Sequence, residues 1–419
     1  MQARSYDVLV VGSGHGGAQV ASSLMLAKFQ GSVGLITLED CLPYQRPPLT
    51  KGLLVGDVAD EDLELRGADF WRHSGVDLLL STEVTSVEPG AHTVTTADGG
   101  TIGYGTLVWA AGGVARSLTV PGGDLAGIHT LRTRSDAEAL RAELSEVSTA
   151  VIVGGGYVGL ESASSLVGAG VRVTLVETID RLLSRVSGSV VADYVAARHR
   201  ANGVDVRLGS AVAEIVGESG RAAGIRLTSG EVIPADMVIV GVGLVPAITP
   251  LADAGAEASN GIDVDEFCRT SLPDVYAIGD CANFACGYAD GERVRLESVQ
   301  NAVDQAKVVA SAIVGSPQPY DSLPWFWSHQ YDDKLQTAGL LSGHDEFVVR
   351  GDPATGQFSV VYLKAGRIIA VDAVNSIRDF AQGKKTIGKR VAVSREKLAD
   401  IDFPLHQTVE VASVAGTGS

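Results

Sequence analysis

Residues 7–39 read DVLVVGSGHGGAQVASSLMLAKFQGSVGLITLE, and residues 150–177 read AVIVGGGYVGLESASSLVGAGVRVTLVE. Each passes from a β-branched run through a glycine-rich turn into a small-residue helical stretch. A second apolar run follows and closes on a glutamate. The order is strand, turn, helix, strand. Glu39 lies 27 residues beyond Gly12 and Glu177 lies 23 beyond Gly154, near the ~20 of a dinucleotide fingerprint. One G-x-G-x-x-G string is weak by itself. A matched pair in the same context, each with its terminal acid, is specific.

The chemistry of the two turns is shared. Gly12 and Gly154 permit the tight turn, Gly14 and Gly156 admit a pyrophosphate to the backbone, and Gly17 and Gly159 let helix and strand pack closely. His15, Gly16, Tyr157 and Val158 complete the two turns and count among the cofactor-binding residues. Phosphates then face the free N–H groups of a helix N-terminus, where the dipole favours negative charge. Glu39 and Glu177 accept hydrogen bonds from ribose hydroxyls. A carboxylate there repels a 2′-phosphate, so NADH is expected rather than NADPH, although Arg181 and Arg185 close behind Glu177 pull the other way.

Working outward, the chain has 419 residues, 45% hydrophobic and 20% charged, enough for two or three domains with a large core. Fifty glycines are dispersed through apolar segments instead of gathered in a linker. The net charge of −17 repels phosphate backbones, so nucleic acid is not an expected partner. Four cysteines make no disulfide framework, and no His/Cys cluster has metal-ligand spacing. No apolar run approaches the ~18 residues of a membrane span, and no signal-peptide pattern precedes residue 7. A soluble, cytoplasmic protein is expected, a monomer or a homodimer.

Two dinucleotide sites imply a flavin beside a nicotinamide. The tract TSLPDVYAIGDCANF at 270–284 resembles the second flavin motif of glutathione-reductase-like flavoproteins, in which the aspartate, here Asp280, binds the ribitol of FAD. Behind it, apolar residues at 299, 302, 303, 306, 310 and 313 predict a helix over 297–315. Its N-terminus would favour negative charge on a reduced flavin. Four further strings narrow the resemblance: PYQRPPLTKGLL (43–54), TLRT (130–133), RLESVQNA (295–302) and LPWFWSHQYD (323–332). With both fingerprints, they resemble the NADH-dependent ferredoxin reductases that serve bacterial oxygenases, from about residue 6 to about 390.

That resemblance implies an α/β chain with two Rossmann-like dinucleotide-binding domains and an α+β C-terminal domain. The FAD domain would comprise 1–113 and 247–322, the NADH domain 114–246, and the C-terminal domain 323–419, with short strands around turns such as DPATG (352–356) and a helix from about 376. Site residues carry over where the strings match. Arg46, Lys51 and Arg132 contact the flavin, Val84 the adenine, and Val299 lies beside the flavin ring. Glu161 matches the glutamate that pairs with the lysine near flavin N5. Val242 and Gly243 stand in the nicotinamide-side loop, and Trp327 matches a tryptophan near the flavin edge. Ala111 and Gly112 occupy the first flavin strand–turn, where the family often has threonine at 111. His329 stands where it commonly has aspartate.

The implied reaction passes a hydride from NADH to FAD, then single electrons to a [2Fe-2S] ferredoxin, with Lys51, Glu161 and Trp327 serving the chemistry. No iron ligands are evident in the chain, so the cluster belongs to a separate partner. An acidic ferredoxin meeting an acidic reductase needs a basic patch, and Lys384, Lys385, Lys389 and Arg390 on one predicted helix offer it. The alternative is an NAD(P)H oxidase, peroxidase or other reductase of small acceptors. Disulfide reductases of this fold carry a redox-active cysteine soon after the first acid. Here RPPLTK fills that place. Cys41, only two residues after Glu39, falls too early for that role, and Cys281 and Cys286, though spaced as CxxxxC, follow the ribitol tract instead. A non-enzymatic redox sensor with a DNA-binding surface is disfavoured by the charge.

Overall fold

In a computed structural model, residues 4–409 are described. The chain divides into two compact units, one of Met1–Ala150, Glu214–Ile225 and Pro234–Ser322, the other of Val151–Ala213, Arg226–Ile233 and Leu323–Ser419. Residues 1–3 and 410–419, the outermost parts of the expected first and last domains, lie outside the described residues. Both fingerprints form the strand–turn–helix–strand read from the sequence.

In the first unit, strand Arg4–Val11 lies between Val33–Ile36 and Thr101–Trp109, both parallel to it, with Val11 opposite Ile36 on one side and Trp109 on the other. The sheet runs Val76–Leu79, Val33–Ile36, Arg4–Val11, Thr101–Trp109, Thr93–Thr96, Val84–Glu88. Strand Val275–Ala277 adds in parallel alongside Leu107–Trp109. The central segments Val8–Val11, Val33–Ile36 and Leu107–Trp109 are buried throughout, as strands covered on both faces are. Toward the edge, Thr93–Thr96 and Val84–Glu88 also carry half-buried and exposed polar positions. Helix His15–Leu26 packs Ala18, Ala21 and Leu24 into a core shared with Val8, Val10, Ile278, Ala306 and Val309. Helix Val299–Ile313 therefore lies against the first fingerprint helix, and its N-cap is Ser298, whose Oγ accepts from the Asn301 N–H. Val11 and Ala277 both end their strands on the same side, so the glycine turn and the Gly279–Asp280 turn open together at the carboxyl ends. Ligands of open α/β sheets bind there.

In the second unit, the order is Asp205–Arg207, Arg172–Val176, Thr149–Val153, with helices Tyr157–Gly168 and Ser189–Ala201 as connections. The C-terminal part is an antiparallel sheet ordered Trp325–Gln330, Asp333–Gly339, Arg367–Val374, Gln357–Lys364, Glu346–Asp352. Helix Ile377–Lys389 packs on it. This α+β arrangement is the one the sequence predicts, including the turn at Pro353–Thr355.

A fully buried arginine secures the far end of that sheet. Arg350 donates to Asp379 Oδ2 (3.0 Å) and to the carbonyls of Leu398 (2.5 Å), Asp400 (2.9 Å) and Phe403 (2.9 Å). Ser359 donates to the same Asp379 oxygen at 2.7 Å. The guanidinium thus satisfies carbonyls of a segment with little regular structure, which is what a buried charge requires.

Candidate active site

The first glycine turn is open where a phosphate would enter. Gly12 has φ +104°, and a Cβ there would strike the Ala110 carbonyl, so only glycine fits. Gly14 is the N-cap of helix His15–Leu26, which no side chain caps and which has no acid in its first turn. A Cβ on Gly14 would meet only Arg46 Nε, at 3.8 Å. An uncapped helix start beside an arginine suits a pyrophosphate.

Around this turn the predicted residues form one hydrogen-bonded ladder. Glu39 accepts from Arg46 (2.8 Å) and from the Tyr44 hydroxyl (2.6 Å). Arg46 continues to the Arg132 carbonyl (2.6 Å), and Arg132 donates to Asp280 Oδ2 (2.9 Å). Asp136, in a capping box with Thr133, accepts from the Arg132 N–H and so fixes the start of its helix. Gly112 has φ +65°, and a Cβ there would come within 2.8 Å of the Arg132 guanidinium. Burial first, then Arg46, pushes the His15 imidazole down to about 4, so this ring beside the turn is neutral at ordinary pH.

The remaining predicted residues of this unit are placed as follows. Lys51 joins the Pro47–Thr50 turn to helix Gly52–Val55 and donates from Nζ to the Pro47 carbonyl at 3.1 Å. Val84 is buried at the start of its strand, opposite Thr96. Val299 opens the helix behind the Asp280 turn. Ala111 precedes Gly112, whose carbonyl accepts from the Ala247 N–H at 3.0 Å. Val242 and Gly243 lead into strand Leu244–Pro246, and the Gly243 carbonyl accepts from the Arg116 N–H at 2.9 Å.

In the second unit, the other glycine turn repeats the geometry. Gly154 has φ +113°, Gly156 caps helix Tyr157–Gly168 without a side-chain bond, and a Cβ on Gly156 would meet nothing within 4 Å. Glu177 accepts from the Gly155 N–H (2.7 Å) and the Ile179 N–H (2.9 Å). Its carboxylate is thereby held against the turn, with lone pairs left for a ribose. Arg181 turns to the Ser184 carbonyl (3.0 Å) and Arg185 is exposed. The Tyr157 and Phe326 rings pack at a tilt of 32° with centroids 4.5 Å apart, while Val158 stays exposed. Glu161 is buried and accepts from the Ser328 hydroxyl at 2.7 Å.

Trp327 sits in a row of aromatic rings, 5.4 Å from Trp325 and 6.2 Å from Phe326. Lys384 leaves the cationic face expected of its helix: its Nζ lies 4.3 Å from the centre of the Trp325 ring, a cation–π contact. Lys385, Lys389 and Arg390 remain exposed. His329 is exposed between buried Ser328 and Gln330, on the opposite face of its strand.

Among the described residues, none of the four cysteines forms a disulfide, and Cys268, Cys281 and Cys286 are buried. Burial pushes the Cys281 thiol up to about 12, which keeps it protonated and unreactive. Tyr44, Ser328 and Gln330 escaped the sequence reading. Tyr44 stands inside the quoted PYQRPPLTK string, and the alternation of WFWSHQ already puts Ser328 and Gln330 on one face.

Comparison with known proteins adds to this geometry. Residues 6–306 match the pyridine nucleotide-disulphide oxidoreductase model, and residues 325–409 match the reductase C-terminal model. The chain is 51% identical, over 96% of its length and 98% of the relative's, to the ferredoxin reductase subunit of 5,5'-dehydrodivanillate O-demethylase from a Sphingobium species. Among solved structures, it is similar to the ferredoxin reductase of the CYP199A2 system of Rhodopseudomonas palustris (TM-score 0.93, 39% identity, covering 96% of this chain and 100% of that one). The covalent putidaredoxin reductase–putidaredoxin complex also matches (TM-score 0.92, 36% identity, covering 97% and 98%).

Proposed function

Because the chain belongs to the pyridine nucleotide-disulphide oxidoreductase family and carries a reductase C-terminal domain, we propose that it is an NADH-dependent ferredoxin reductase. It works in the cytoplasm, and its acceptor is a small [2Fe-2S] protein that feeds an oxygenase. The residues present fit the two cofactors: each glycine turn leaves an uncapped helix start for a pyrophosphate, and each following strand ends in a fixed carboxylate for a ribose. The flavin supplies the conversion of chemistry, a hydride in from NADH and single electrons out to the ferredoxin.

The protein's own groups do the rest. In the first unit, Gly14, His15, Gly16 and Gly17 line the pyrophosphate, Glu39 takes the ribose, and Arg46, Arg132 and Asp280 order the ribityl side as one ladder. Arg46 neutralises Glu39 while lending positive potential to the phosphates. In the second unit, Gly156, Tyr157, Val158 and Gly159 form the nicotinamide nucleotide's turn, and Glu177 discriminates against a 2′-phosphate by charge. Lys51 supplies a cation, and Glu161 a carboxylate, to the hydride step. As part of the same proposal, residues 1–113 with 247–322 serve FAD, 114–246 serve NADH, and 323–419 form the C-terminal domain.

One observation carries this reading against the disulphide reductases of the same family. The place after the first acid is filled by Arg46 and Lys51. Cys41 stands only two residues past Glu39, where burial and then Glu39 push its thiol pKa up, and Cys268, Cys281 and Cys286 are buried. The test is NADH-driven cytochrome c reduction with and without a [2Fe-2S] ferredoxin. A strict ferredoxin requirement is expected. Equal turnover without ferredoxin, on oxygen, peroxide or quinone, would make the protein a reductase of small acceptors.

A further inference from the structure

Glu161 stands at one end of a buried chain of hydrogen bonds whose direction can be worked out group by group. Its carboxylate only accepts, so the Ser328 hydroxyl gives its proton to Oε1 (2.7 Å). Ser328 Oγ must then accept from Gln330, whose Nε2 lies 3.1 Å away. That leaves Gln330 Oε1 facing His199 Nε2 at 2.9 Å. An amide oxygen cannot donate, so His199 carries its proton on Nε2. Burial pushes the imidazole pKa down, so the ring is neutral and Nδ1 is a lone pair. The Tyr331 hydroxyl, 3.0 Å from Nδ1, donates to it. Every donor in the series Tyr331, His199, Gln330, Ser328 therefore points toward Glu161.

The backbone is arranged to keep this chain in register. Ser328 and Gln330 alternate onto one face of strand Trp325–Gln330. Glu161 and Ser164, three apart on their helix, share a face, and Ser164 Oγ accepts from the Tyr331 N–H at 2.7 Å. Tyr331 begins a two-residue hairpin with φ +53°, a conformation that glycine or asparagine ordinarily takes. A tyrosine held there is strained, so its side chain, not the turn, explains its presence. Ser328 and His199 are fully buried, and Gln330 and Glu161 are 3% and 7% exposed.

We infer that Ser328, Gln330 and His199 are positioning residues for Glu161, a one-way hydrogen-bond chain that holds its carboxylate in a single orientation for hydride transfer. Aligned bonds polarise one another, and the last of them is charge-assisted. The inference rests on the role proposed above for Glu161.

The test is a double-mutant cycle on the holoenzyme with Glu161→Gln and Gln330→Met, reading the limiting rate of anaerobic flavin reduction by NADH and the NAD⁺ dissociation constant. Gln330→Met should slow reduction about tenfold, as misorientation at a reacting centre does. It should leave NAD⁺ binding within about twofold and add less than about twofold in the Glu161→Gln background. His199→Gln keeps a donor toward Gln330 and should retain most of the rate, whereas His199→Phe should lose it. Independently of turnover, the infrared carboxylate band absent from Glu161→Gln should shift in Gln330→Met. Equal slowing by Gln330→Met in both backgrounds, or an unmoved carboxylate band, would overturn the proposal while leaving the Glu161 role intact. An unchanged rate in Glu161→Gln would instead remove that role and the proposal with it.

Discussion

At the scale of single residues, the flavin-side ladder depends on a glycine that has no side chain to contribute. Gly112 takes a left-handed backbone and lets the Arg132 guanidinium lie where a Cβ would be. Gly112→Ala combines strain of about 1 kcal/mol with displacement of Arg132 from Asp280. FAD affinity should fall about tenfold or more, read as cofactor lost on dialysis. His15 offers a pH test. Its folded pKa, about 4, lies below the ordinary value of 6.5, so between these values the unfolded chain binds a proton that the folded one refuses. Stability is complete above about pH 6.5 and falls as the pH drops toward 4, by about 3 kcal/mol at most. Urea titrations of FAD-free protein at pH 7.5 and 5 should show that loss, and His15→Gln should reduce it. Much of this site is legible in sequence because glycines, acids and arginines at fixed spacings have few other uses. Tyr44 was not, since a tyrosine in a proline-rich string carries no spacing of its own.

At the scale of elements, the two fingerprints and helix Val299–Ile313 were readable from local order alone, because apolar period and turn residues lie within one stretch of chain. The staple around Arg350 was not. It joins residues 350, 379 and 398–403, and nothing local to Arg350 distinguishes it from a surface arginine of an exposed strand. The same holds for Lys384, whose partner Trp325 lies some sixty residues earlier. Arg350→Met would leave the Asp379 carboxylate buried beside only Ser359 and several carbonyls without donors. A loss of about 3–5 kcal/mol is expected, visible as a lowered denaturation midpoint of the C-terminal part. Adding Asp379→Asn should recover part of it.

At the scale of the whole molecule, the −17 charge sets the terms on which a charged electron acceptor can approach. Local cations then decide encounter rates more than final affinity. Lys385 and Lys389, exposed near the end of their helix, are the candidates. Reversing both to glutamate should slow ferredoxin reduction several-fold at low ionic strength, with the difference shrinking toward 0.5 M salt as screening tightens. Lys384→Glu would act differently, because it also breaks the contact with Trp325.

The central claim is an electron path from NADH through FAD to an iron–sulfur protein, without a thiol relay. Its most direct test is anaerobic stopped-flow spectroscopy of the holoenzyme: bleaching of the flavin by NADH, then mixing with oxidised [2Fe-2S] ferredoxin. Bleaching should be fast with NADH and much slower with NADPH, and flavin absorbance should recover in step with ferredoxin reduction. Protein in which Cys281 and Cys286 are alanine should follow the same course. Recovery only on adding oxygen, peroxide or quinone, or loss of recovery in the cysteine variant, would contradict it.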